Sequence, residues 1–107
     1  YTLHGEDGTL LGGGGLAEFP GIPNCAEVQK FYLADEAKGR GLGHRLLELV
    51  ERFARRHGYD KLYLETHSNL TAAVRLYTRY GFTEIEKPAS VMHGAMNLFY
   101  IKPLELT

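Results

Sequence analysis

The amino-acid sequence predicts a mixed α/β fold, a central sheet with helices packed against it. Three observations carry this prediction. Extended and helical periodicities follow one another in the order strand, strand, strand, turn, helix, strand, helix, strand, strand. Helices that cross between strands in this way build a mixed sheet. Glycines gather at two places, and one of them is a strand-to-helix junction. The 107 residues show no repeat, low-complexity tail or interdomain linker, which predicts one domain over 1–107. A domain of this size buries a core with little to spare.

Residues 1–19 read as a hairpin: Tyr1 and Leu3, the turn Gly5-Glu6-Asp7-Gly8, then Thr9-Leu10-Leu11. Gly12 to Gly15 follow, and Leu16-Ala17-Glu18-Phe19 resumes the extended pattern. Four glycines in a row suggest a phosphate loop, a bulged strand or a close backbone approach. No Lys-Ser or Lys-Thr follows, so the phosphate loop is rejected. Pro20 to Asn24 is a loop. Residues 26–34 form a strand, with Val28, Lys30 and Tyr32 expected on one face and Glu27, Gln29, Phe31 and Leu33 on the other. After the glycine turn at 38–43, Leu42, Leu46, Val50, Phe53 and Ala54 recur at helical spacing, and Gly58 sits where a left-handed cap belongs. Residues 61–66 read as the next strand. Ser68 or Asn69 is expected to cap a second helix that runs to about Tyr80 and ends at Gly81. Residues 82–86 and 96–101 read as closing strands, with a loop around Pro88 to Gly94.

Composition narrows the function classes. Apolar residues make up 44% and charged residues 23%, ordinary values for a globular protein. The formal net charge of −1 gives no global attraction to nucleic acid or to an anionic membrane. Arg52, Arg55, Arg56 and Lys61 read as a solvated face. No apolar run approaches the roughly 20 residues of a membrane span. One cysteine, Cys25, forbids an internal disulfide, and with no signal-like stretch this fits a cytoplasmic protein. Cys25 reads as a structural thiol. His4, His57, His67 and His93 lack metal-ligand spacing, so no metal is expected.

The turn Lys38-Gly39-Arg40-Gly41-Leu42-Gly43 carries the chemistry. A turn between strand and helix aims unpaired backbone N–H groups from the positive end of the helix dipole, which suits a phosphate. Glycines let the chain turn left-handed and let a ligand approach the backbone. Spacing tests the rivals. A dinucleotide fingerprint starting at Gly39 needs a third glycine at 44, which is His44; starting at Gly41 it needs one at 46, which is Leu46. Both registers fail. A helix start with incidental glycines remains the bland alternative.

The segment resembles the acyl-CoA-binding motif of the GNAT N-acetyltransferase superfamily, Gln/Arg-x-x-Gly-x-Gly/Ala, with Lys38 in place of the usual Gln or Arg. Leu76-Tyr77-Thr78-Arg79-Tyr80-Gly81-Phe82 is similar to the family's Leu-Tyr-x-x-x-Gly-Phe segment. Two motifs in this order are more specific than either alone, and they cover about residues 27–86. The resemblance implies a GNAT-like, mostly antiparallel central sheet flanked by helices, and acetyl-CoA as cosubstrate. It implies CoA contacts at Phe31, Tyr32, Leu33, Lys38, Gly39, Arg40, Gly41, Leu42, Gly43, His44 and Asn69. Asn69 stands one residue early for the family's asparagine, and a helix cap explains it equally well. The family also carries a strand and one or two helices ahead of the region that begins here at Tyr1. The acceptor pocket is therefore expected to be trimmed, completed by a partner such as a second copy in a homodimer, or carried by a longer chain.

An amine with a pKa of about 10.4 is almost wholly protonated at pH 7, so attack on a thioester needs a base. The oxyanion needs N–H donors and the leaving thiolate a proton donor. The resemblance points to Glu27 as base, against the alternatives of an ordinary strand carboxylate or of Glu65. It points to Tyr77 as acid, against a core aromatic at helical spacing with Ala73 and Val74. Tyr80 reads as packing. The expected activity is N-acetyl transfer to a primary amine by direct attack. A non-catalytic CoA-binding regulatory module is the rival of another class, and a nucleotide-binding α/β domain the second.

Overall fold

The computed structural model describes residues 2–4, 8, 10–34, 41–92 and 94–104. The elements in chain order are β1 (Thr2–His4), β2 (Leu10–Glu18), β3 (Cys25–Leu33), α1 (Leu42–Arg56), β4 (Lys61–Thr66), α2 (Thr71–Tyr80), β5 (Thr83–Ile85) and β6 (Leu98–Pro103). They form a six-stranded sheet in the order β1-β2-β3-β4-β6-β5. Its neighbours are antiparallel except for β3 and β4, which run parallel across the α1 connection. The mixed, mostly antiparallel sheet is the one expected. The glycines at 12–15 do not interrupt β2, which passes through them as one nine-residue strand.

Both helices lie on one face of the sheet. Leu46, Leu47, Val50 and Ala54 make one fully buried stripe of α1, and each large apolar side chain so buried contributes about 1.5–3 kcal/mol. Leu47, Val50 and Ala54 meet Ala26, Val28, Leu62, Leu64 and Tyr100 from the strands, with Tyr77 and Phe82 closing the cluster. The opposite face has a smaller core: Phe19, Cys25, Tyr63 and Phe99, rimmed by Ile22, Ile85 and Val91. Phe19 stacks on Tyr63 at 4.0 Å between ring centroids. Glu51 is buried on α1 and is held by Lys102 Nζ at 2.8 Å and Arg55 at 2.8 Å. A buried carboxylate stripped of such partners is strongly destabilising, so this pair fixes α1 against β6.

Gly58 (φ 84°) and Gly81 (φ 113°) adopt the left-handed conformation expected after their helices. Two expectations fail. The N-cap of α2 is Leu70, with no side-chain cap, rather than Ser68 or Asn69. Asn97 occupies Ser68 instead: the Ser68 N–H donates to Asn97 Oδ1 at 2.9 Å and Asn97 Nδ2 donates to Ser68 Oγ at 3.0 Å. Asn69 donates its own N–H to the His67 ring. The face assignment in β3 fails beyond Gln29. Pairing steps from Gly13↔Tyr32 to Gly15↔Gln29, so two residues of β3 stand opposite one of β2, and Lys30 takes φ 54°. This β-bulge turns the following side chains over. Val28 and Phe31 therefore share the helix-covered face instead of lying on opposite ones.

Candidate active site

The site begins where β3 and β4 part. They pair over Cys25↔Lys61, Ala26↔Leu62 and Glu27↔Tyr63, and the ladder stops there although β3 runs on to Leu33 and β4 to Thr66. The bulge at Lys30 bends β3 away at this point. On the helix side the opening leads into a groove of about 610 Å³. Its walls are the distal half of β3, the first turn of α1 and one side of α2 from Thr71 to Arg79. Phe31, Tyr32, Leu33, Gly41, Leu42, Gly43, His44, Asn69 and Tyr77, all expected from the sequence, line it. Lys38, Gly39 and Arg40 lie outside the described residues.

Both helices open on this groove. Gly41 caps α1 in the left-handed conformation (φ 73°), and neither helix has a side-chain cap or an acid in its first turn. The first N–H groups of α1 are left without intrahelical partners, and the dipoles of both helices make the groove favourable to anions. Gly43 is there for closeness: a Cβ would stand 2.8 Å from Leu76 Cδ2 and 3.0 Å from Leu33 Cδ1. His44 is exposed, pairs with Glu48 at 3.1 Å and meets the Tyr80 ring edge-on.

Arg79, Leu70, Thr71, Ala72, Ala73 and Leu76 also line the groove, beyond the residues expected to hold CoA. Arg79 is an exposed cation that pairs with no acid among the described residues. The signal for it was present, since 72, 76 and 79 fall on one helical face with the motif's leucine.

Tyr77 is buried, with its ring edge-on to Phe31 at 5.9 Å and Phe82 at 6.0 Å. Among the described residues its hydroxyl has no hydrogen-bond partner, yet no buried polar side-chain atom of those residues lacks one. The ring is therefore core and the hydroxyl opens on the groove it lines. Burial pushes the phenol up to about 12, so it holds its proton across the neutral range.

Glu27 is not among the groove-lining residues. Its β3 neighbours Cys25 and Gln29 share its face, the one away from the helices, and Gln29 Nε2 donates to Glu27 Oε1 at 3.2 Å. Glu65 lies on that face too and accepts the Tyr63 hydroxyl at 2.8 Å. Burial, then the Glu65 hydrogen bond and charge, then the Glu27 charge push the Tyr63 phenol well above its ordinary range. Acid and base candidates thus stand on opposite faces of the sheet, at the place where its two central strands separate. Cys25 is buried, and burial raises its thiol to about 11, which suits an inert structural role. Among the described residues no cluster of His, Cys, Asp or Glu gathers closely enough to hold a metal ion.

A family model described as the acetyltransferase (GNAT) family matches residues 1–82. The chain belongs to the GNAT acetyltransferase family. It is 36% identical over 87 residues to YjgM of Escherichia coli, an uncharacterised N-acetyltransferase, covering 80% of this chain and 52% of that protein. It is 33% identical to the IAA acetyltransferase of Azospirillum brasilense, over 97% of this chain and 67% of the relative. A GCN5-related N-acetyltransferase from Kribbella flavida superposes with a TM-score of 0.71 at 29% identity, over 94% of this chain and 64% of the other. The chain spans about half the length of the E. coli relative, 52%. No helix among the described residues is long and apolar enough to cross a membrane.

Proposed function

We propose that the protein transfers an acetyl group from acetyl-CoA to a primary amine by direct attack. The observation that carries this reading is the interruption of the β3–β4 ladder after Glu27, beside a groove with two uncapped helix starts. The groove suits the cosubstrate. The N–H groups from Gly41 to His44 suit the pyrophosphate, and the stretch of β3 from Phe31 to Leu33, unpaired on its β4 side, suits the amide-bearing pantetheine arm as an added strand.

In this reading acetyl-CoA enters from the helix face and the amine from the opposite face, and they meet in the opening. Glu27, directly or through water, takes a proton from the amine as the nitrogen bonds to the acetyl carbon. A backbone N–H near Leu33 steadies the oxyanion. The C–S bond then breaks, and Tyr77 hydrogen-bonds the departing sulfur. Full proton transfer from a phenol near pKa 12 to a thiolate whose ordinary thiol pKa is about 8.5 runs uphill. Tyr77 therefore acts by hydrogen bonding, and solvent supplies the final proton. Glu27 and Glu65 on the acceptor face suit a cationic substrate.

Thermal shift followed by an acceptor panel tests the reading. Acetyl-CoA and CoA are expected to raise the melting temperature, and at least one amine is expected to release free thiol. Stabilisation by a nucleotide but not by CoA sinks the reading, whereas CoA binding with no thiol release from any amine favours a non-catalytic module. Glu27→Gln is expected to slow transfer most near neutral pH, and an unchanged pH profile removes Glu27 as base.

A further inference from the structure

The glycine run at 12–15 lines no part of the groove, yet it stands directly behind it. Gly12 pairs with Leu33 across β2 and β3. A Cβ at Gly12 would lie 2.7 Å from the Tyr32 carbonyl oxygen and 3.0 Å from Leu33 Cδ2. A backbone oxygen cannot be rotated aside, so the strand itself would have to move. On the other side of Leu33, a Cβ at Gly43 would lie 3.0 Å from Cδ1. Leu33 is thus seated between two glycines, one from each glycine cluster of the sequence. Gly14 faces the bulge, where a Cβ would lie 3.3 Å from Phe31 Cδ2 and 3.6 Å from Val50 Cγ2. Gly15 is different, since its Cβ would make only ordinary contact, 3.7 Å from Gln29 O. Glycine weakens a strand interior, and its usual reason there is a bulge or a close backbone approach. Both are present here.

We propose that Gly12 is a positioning residue for the groove. By carrying no side chain it lets β2 press on the bulged half of β3, and the clasp of Leu33 between Gly12 and Gly43 holds the 32–33 backbone where it meets the pantetheine arm. Gly14 does the same more weakly for Phe31 and, through that ring, for Tyr77. This inference rests on the reading of the groove as the acyl-CoA site.

Calorimetric titration of CoA into Gly12→Ala, Gly14→Ala and Gly15→Ala tests it. Overpacking a tight contact is costly and an ordinary contact absorbs a methyl, so the expected losses follow the distances. Affinity is expected to fall about tenfold in Gly12→Ala, about threefold in Gly14→Ala and not at all in Gly15→Ala. In the unliganded protein the Tyr32 and Leu33 amide resonances are expected to move in Gly12→Ala and to hold still in Gly15→Ala. Parent-like CoA affinity in Gly12→Ala overturns the proposal. So does an equal loss in Gly15→Ala, which marks general weakening of β2. Where Gly12→Ala does not fold, Gly14→Ala decides whether the glycines of β2 seat the bulged half of β3: weaker CoA binding at a parent-like melting temperature supports it, and parent affinity refutes it. A parent protein that binds no CoA defeats the functional reading itself, and the amide shifts then judge separately whether Gly12 seats β3.

Discussion

The two halves of β3 have opposite characters. From Cys25 to Glu27 the strand is paired on both sides, and its side chains Cys25 and Ala26 are 1% and 0% exposed. From Val28 to Leu33 it keeps its β2 neighbour, loses β4, bulges at Lys30, and exposes Lys30 and Tyr32. The first half closes the sheet because Leu62 and Tyr63 bring apolar bulk to both of its faces. The second half stays open because the bulge turns it aside. Burial is concentrated in the closed end and the groove lies at the open end, a few residues apart on one strand.

The largest expected effect falls on the closed end. Leu62 is fully buried among Ala26, Leu47 and Tyr100. Leu62→Ala is expected to lower the unfolding free energy by about 2–5 kcal/mol, measured by denaturant titration, with CoA affinity of the folded fraction preserved. A loss of affinity beyond the unfolded fraction breaks the division of labour.

Tyr77 straddles the boundary, with its ring in the core and its hydroxyl on the groove. Tyr77→Phe keeps the ring, so stability and CoA affinity are expected to hold while turnover falls on the order of tenfold to hundredfold, the worth of one hydrogen bond to a developing charge. Unchanged turnover returns Tyr77 to a packing role. The same residue has a signature in alkali. Its folded pKa, about 12, exceeds the ordinary value of 10. Its contribution is therefore complete below pH 10 and is lost as pH rises toward 12. Tyr77→Phe is expected to flatten that part of the stability profile, read by unfolding at stepped pH.

The smallest expected effect tests the groove mouth. Arg79→Ala removes an exposed cation, so CoA affinity is expected to fall only a few-fold, and its salt dependence to weaken. Calorimetry at two ionic strengths reads both. An affinity that does not respond takes Arg79 out of CoA binding.

Much of this was legible in the residues. The helical stripe Leu46, Val50, Ala54 and the left-handed Gly58 and Gly81 are local, and periodicity or backbone sterics suffice for them. The groove-lining residues Phe31 to Leu33 and Gly41 to His44, with Asn69 and Tyr77, were legible through the two family motifs. The start of α2 was not. Ser68 has the chemistry of a cap, but Asn97, distant in sequence, takes its hydroxyl and leaves Leu70 at the cap position. Phe31 was assigned to the wrong face because alternation assumes an unbroken pleat, and nothing in Gln29-Lys30-Phe31 announces a bulge. The bulge lies across the ladder from Gly14, where a Cβ would crowd the Phe31 ring.

The sequence by itself determined the order of elements, the crossing helices and the anion-ready turn, because these follow from periodicity, glycine conformation and helix ends. Tertiary structure alone decided that the two glycine clusters meet on Leu33, that β3 and β4 separate after Glu27, and that Glu27 and Tyr77 stand on opposite faces. Those are distances between segments far apart in the chain. Such distances are set by packing and by strand pairing, which no local pattern encodes.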